Sequence, residues 1–89
     1  MTTVATMKDR LASLDPEHVE VIDDSAQHAG HAGARSGGGH YRVVIVSPRF
    51  AGLGTMARHR LVYDALGTLM DGDIHALSIT ARAPTEHPR

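Results

Sequence analysis

Tyr41-Arg-Val-Val-Ile-Val-Ser-Pro48, then Thr55-Met-Ala-Arg-His-Arg-Leu-Val-Tyr-Asp-Ala-Leu66, then Ile74-His-Ala-Leu-Ser-Ile-Thr80 is the stretch that decides the fold. The first piece is β-branched apart from Tyr41 and Arg42 and stops at Ser47-Pro48, as expected for a central strand. In the second, Val62, Ala65, Leu66 and Leu69 fall within about 100° on a helical wheel, which predicts a helix over about 56–70 that stops near Asp71-Gly72. Thr55 is its expected N-cap. The third piece returns to alternation, so it reads as a strand, with His75, Leu77 and Ile79 sharing one face. A helix between two strands is a crossover, and the strands it joins should lie parallel in one sheet.

Working outward, Val4, Met7, Leu11 and Leu14 recur at helical spacing, and Asp15-Pro16 ends that helix at about residue 14. His18 to Asp23 alternates, with Val19 and Val21 on one face and His18, Glu20 and Ile22 on the other. Residues 24–39 hold five glycines with Ser, Ala and His and no large apolar side chain, so they read as a long flexible loop. The two strands flanking that loop should pair antiparallel. The predicted fold is therefore α+β, α-β-β-α-β, with the second helix a candidate for a break near Arg58 and the helices on one face of a three-stranded mixed sheet. One domain is expected over residues 1–82, followed by a disordered tail over 83–89.

The chain has 89 residues, 42% apolar and 21% charged, enough for a folded but thin core. No cysteine is present, so the chain supplies neither a disulfide nor a thiolate, and any soft metal ligand must come from a partner. No apolar run approaches a membrane span, and Lys8, Asp9 and Arg10 interrupt the N-terminal segment, which points to a cytoplasmic protein without membrane attachment. Residues 1–24 hold six acids, whereas residues 25–63 hold Arg35, Arg42, Arg49, Arg58 and Arg60 and no acid. Such a block fits an anionic partner and equally a solvated face.

Residues 50–66, with Phe50 and a glycine ahead of Arg58-His59-Arg60, and residues 73–77, with Ile74-His75-Ala76, resemble the BolA family. Asp23-Asp24-Ser25-Ala-Gln-His28 and Tyr41-Arg-Val-Val-Ile-Val-Ser47 sit where that family has the end of its first strand and its second strand. The resemblance covers about residues 3–82. It implies a type II KH-like fold and an adaptor that forms a heterodimer with a monothiol glutaredoxin, the pair sharing a [2Fe–2S] cluster in iron handling. In the family the cluster is held by the glutaredoxin cysteine, a glutathione thiol, the histidine of Ile-His-Ala and a second ligand from the first long loop. The corresponding residues here are His75 and His28, with His31 as an alternative loop ligand and His40 ranked after both. The isolated chain would hold no cofactor and would be a monomer or a weak homodimer.

Imidazole can replace thiolate on one iron of such a cluster, so a chain without cysteine can still ligate it. For His75 the alternative is a residue that caps the core edge, and for His28 and His31 it is a solvated loop. His59, on the flank of the helical stripe, reads as a half-buried residue that fixes the helix start. The seven histidines include no His-x₃-His pair on a predicted helix, so a zinc site made by this chain alone has weak support.

The rival function is a DNA-binding transcription regulator, a role described for some members of the family together with stress response. Arg58, Arg60 and Arg49 would then contact phosphates or a protein partner. The turn Gly52-Leu-Gly54 is one residue short of the KH backbone clamp, and only Tyr41, Phe50 and Tyr63 are available for stacking. Catalysis is not expected, because no partnered nucleophile or paired carboxylates are apparent. The family often carries a tryptophan-bearing segment after its third strand; none follows residue 82 here, so a partner contact made through it is not expected.

Overall fold

The computed structural model describes residues 2–25 and 39–86. Helix α1, Thr3–Leu11, begins where the Thr2 side-chain oxygen accepts a hydrogen bond from the Ala5 backbone N–H at 3.1 Å, satisfying one of the donors a helix start leaves open. It tightens into a 3₁₀ turn over Ala12–Leu14 and ends at Asp15, whose φ of 51° is left-handed. Pro16 disfavours the helical region for that residue, so the sequence stops the helix where expected.

Strand β1, His18–Asp23, runs antiparallel to β2, Gly39–Val46, in a register that sets His18 opposite Val46 and Asp23 opposite Tyr41. Helix α2, Thr55–Leu66, leads through a 3₁₀ turn over Gly67–Asp71 to β3, Ile74–Arg82, which pairs parallel with β2. The sheet order is β1-β2-β3. The expected α+β arrangement is present, with β2 central and both helices packed on the mixed sheet.

The alternation of β2 explains the core. Tyr41, Val43 and Ile45 point one way and meet Met7 and Leu11 of α1 and Val62 and Leu66 of α2 in a single cluster. Phe50, the only phenylalanine, is wholly buried in that cluster and comes from a 3₁₀ turn over Pro48–Phe50. The turn is anchored by Ser47, whose buried hydroxyl donates to Leu14 O at 2.6 Å and accepts from the Arg49 backbone N–H at 3.1 Å. A buried hydroxyl so satisfied fixes the end of β2 against the end of α1's 3₁₀ extension.

The two helices are also joined by Arg10, which donates to Leu66 O at 2.9 Å and to Thr68 Oγ1 at 3.2 Å. A cation over the last carbonyls of α2 complements the helix dipole, and Gly67, at φ 55°, supplies the positive dihedral that ends the helix.

Three sequence expectations are corrected. Thr55 is the first helical residue and not the cap, which is Gly54, and α2 runs unbroken across Arg58. The tail is ordered at least to Glu86: Pro84–Glu86 forms a 3₁₀ turn in which Glu86 accepts from the Ala83 backbone N–H at 3.0 Å and pairs with Arg58. Arg58 also donates to Leu53 O at 2.7 Å and to Ala81 O at 3.1 Å, so one guanidinium holds the turn before α2, the end of β3 and the last described turn together. Composition hid this, because the ordering comes from a single long-range ion pair and not from apolar residues.

Two outcomes follow. Phe50→Ala lowers the unfolding free energy by about 3–5 kcal/mol in urea titrations, a large part of the roughly 5–15 kcal/mol typical of a domain. The hydrogen bonds from Arg58 and from the Ala83 backbone hold the Glu86 carboxyl at about 2, down from 4.5. Its stabilising effect is therefore complete above pH 4.5 and is lost as the pH falls through about 2. Melting temperatures of Glu86→Gln and native protein should differ above pH 4.5 and converge as the pH is lowered towards 2; a gap that stays constant refutes the clasp.

Candidate functional site: a histidine pair at a sheet bulge

The start of β3 departs from simple alternation. Gly39 lies opposite Ile74, but His40 lies opposite Ala76, so His75 is an extra residue in the ladder. Such a bulge re-aims side chains on either side of it. Ile74 is 3% exposed, and Leu77 and Ile79 pack against the same core, although residues 74 and 77 would face opposite ways in a regular strand. His75 is correspondingly exposed. The expected sharing of a face with Leu77 and Ile79 is thus overturned: the bulge releases His75 from the core side and keeps Ile74 on it.

The partner strand is built to hold this irregularity. Gly39 N–H donates to Asp73 O at 2.9 Å, and a Cβ on Gly39 would lie 2.6 Å from the Tyr41 ring and 2.7 Å from Ser25 Oγ. Only glycine fits there. The next residue, His40, donates its backbone N–H to Ser25 Oγ at 3.0 Å and accepts at its carbonyl from the Asp24 N–H at 2.7 Å. Hydrogen bonds from the Ser25 hydroxyl and backbone hold the Asp23 carboxyl below the usual carboxylate range. Residues 23–25, 39–40 and 73–75 therefore meet at one end of the sheet. There the His40 and His75 ring centres lie 5.3 Å apart, with the planes inclined at 44°.

A shallow depression of about 290 Å³ runs from His40 past Asp24, Arg42, Ala76 and Ser78; His75 does not line it. Asp24 accepts from Arg42 and is held as half of an ion pair. Among the described residues no three His, Asp or Glu side chains converge. A closed metal centre needs four ligands, so two imidazoles make half of one and the rest must be supplied from outside this group. Imidazole nitrogen is a donor that borderline metals such as zinc and iron accept.

His75 and His40 are brought together; His28 and His31 lie outside the described residues. Of the three arginines assigned to a partner or nucleic acid, Arg58 is corrected to an internal clamp, its side chain 14% exposed and bound to Leu53, Ala81 and Glu86. Arg49 is paired with Asp15 at 3.0 Å, both side chains well exposed. Arg60 is exposed and makes no ion pair among the described residues, and it borders an outward groove on α2 with Thr55, Met56, His59 and Tyr63. Arg58, not His59, fixes the start of α2. Gly39 and Ser25 were not picked out from the sequence as site residues, although a glycine directly before a strand was a readable signal of close backbone approach.

The BolA family model, described as BolA-like protein, matches residues 11–86. The chain belongs to the BolA-like family. It is 41% identical over 92 residues to an uncharacterized protein in the cobS 5' region of Sinorhizobium sp., spanning 100% of this chain and 99% of that protein. It is 46% identical over 78 residues to SufE-like protein 1, chloroplastic/mitochondrial, of Arabidopsis thaliana, covering 82% of this chain but only 21% of that protein. Among solved structures, BolA1 from Arabidopsis thaliana superposes with a TM-score of 0.83 at 36% identity, covering 99% of each chain. Among the described residues of this BolA-like chain, no helix is long and apolar enough to cross a membrane.

Gly39→Ala tests how the bulge is held. It should cost about 1–3 kcal/mol of stability by overpacking and should shift the imidazole resonances of His40 and His75, while Gly72→Ala, a position with open space, leaves those resonances in place.

Proposed function

We propose that this BolA-like chain is an adaptor that pairs with a monothiol glutaredoxin and contributes imidazole nitrogen to a [2Fe–2S] cluster shared between the two, in cluster transfer or iron regulation. The observation that carries this is His75, turned outward by a bulge and set beside a second imidazole in a chain without cysteine. Such a chain can give a cluster nitrogen and no sulfur, so the sulfur ligands belong to the partner: the glutaredoxin cysteine and a glutathione thiol. Nitrogen in place of thiolate makes the bound cluster less negative and raises its reduction potential.

This chain's own part in that function is to position a donor. His75 sits in a paired strand, so its ring is carried by a rigid element, and its exposure leaves it accessible to a partner. The Asp73–Gly39 and Ser25–His40 hydrogen bonds keep the bulge from relaxing to a regular ladder, which would return His75 to the core side. The nucleic-acid alternative is weakened by the same structure, since Arg58 and Arg49 are engaged within the chain and only Arg60 of the three is not.

Co-expression with a monothiol glutaredoxin, purified without oxygen, tests the proposal. The expected product is a coloured heterodimer whose visible absorption is altered or lost on His75→Ala while the two proteins still associate. A heterodimer with an unchanged spectrum refutes the assignment of His75.

A further inference from the structure

At the far end of β3 the fold already holds a bound carboxylate, and it is the chain's own. Glu86 Oε1 accepts from Arg58 Nη1 and, at 3.0 Å, from the Ala83 backbone N–H, while Oε2 accepts from Arg58 Nη2 at 2.9 Å. A planar guanidinium fork closed by one backbone donor is a geometry that recognises a carboxylate. The donors are held in place without the carboxylate's help. Arg58 Nε donates to Leu53 O at 2.7 Å and Nη1 to Ala81 O at 3.1 Å, and Ala83 is 2% exposed. Arg82 adds its positive field at the same carboxylate.

The occupant is held far more loosely than its receptor. The Glu86 side chain is 45% exposed against 14% for Arg58, and the Pro84–Glu86 turn contains no buried residue. Glu86 is tied down by its carboxylate and by its backbone N–H, which donates to Ala83 O at 2.9 Å. If that carboxylate left, Arg58 would remain as an unpaired cation in a mostly covered position, which is costly. The site therefore calls for a replacement anion and not for an empty state.

We infer that Arg58 and the Ala83 N–H form a carboxylate-binding site that Glu86 fills as a tethered ligand, and that an acidic segment of a partner protein replaces Glu86 there and releases the Pro84–Glu86 turn. The tether gives Glu86 an effective concentration of roughly millimolar order, so a competing carboxylate has to be presented at high local concentration, as neighbouring acids on one peptide are. Binding in trans and release of the turn are one exchange. It does not depend on the cluster function, since none of the histidines takes part.

The test uses the full chain and Glu86→Ala, with acetate and a tri-glutamate peptide as probes and sodium chloride holding the ionic strength constant. In Glu86→Ala, acetate should shift the Ala83 amide and Arg58 Nε resonances saturably and restore at least half of the lost melting temperature. The peptide should shift the same resonances, and its glutamine counterpart should not. In the native chain the peptide should need at least tenfold higher concentration to move them, and the Glu86 amide should then lose its protection from exchange. Arg58→Lys/Glu86→Ala, which keeps the positive charge without the fork, should lose the response to both probes. Chloride restoring Glu86→Ala as well as acetate does, shifts that survive Arg58→Lys, or a native chain whose Glu86 amide stays protected in excess peptide overturns the inference.

Discussion

The pairing of β2 with β3 at Gly39 and His40 is the constraint on which the rest depends. A single extra residue in β3 lets Ile74 stay in the core alongside Leu77 and Ile79, and in doing so it turns His75 to the outside. In a regular strand that kept Leu77 and Ile79 in the core, Ile74 would leave the core and His75 would enter it. The Gly39 backbone, pressed against the Tyr41 ring and Ser25 so closely that no Cβ fits, keeps the two strands in the irregular register. Stability and display of the donor are thus two consequences of one local geometry.

Around that geometry the chain spends its few charged side chains on holding elements together. Arg10 caps the end of α2, and Arg58 ties the turn before α2 to β3 and to Glu86. Arg42 takes up Asp24 beside the histidine pair. In a small domain with a thin core these polar links supplement what apolar burial supplies. They also explain why a basic central block does not amount to a basic surface: three of its four described arginines, Arg42, Arg49 and Arg58, are paired with acids from elsewhere in the chain.

Most of the fold was legible in the sequence because its signals are periodic. The stripe Val4, Met7, Leu11, Leu14, the alternation of His18 to Asp23 and the β-branched run to Val46 each state their element directly, and the crossover helix requires the parallel pair. The site was legible in part. His75 stood out through its neighbours Ile74 and Ala76, but its orientation did not, because a bulge breaks the period-two rule by which strand faces are read. His40 ranked behind the loop histidines, since nothing local shows that residue 40 meets residue 75 across the sheet. Arg58 and Glu86 were misjudged for a like reason: a clasp across 28 residues leaves no mark in composition.

The central claim is that this chain gives nitrogen, through His75, to one iron of a cluster whose other iron is held by the partner's sulfur ligands. Mössbauer spectroscopy of the ⁵⁷Fe-loaded glutaredoxin heterodimer addresses it most directly. Unequal ligation predicts two quadrupole doublets of equal area in the oxidised cluster, merging towards one when His75 is replaced by alanine. A single doublet in the native heterodimer, indicating two irons with the same all-sulfur surroundings, would contradict it.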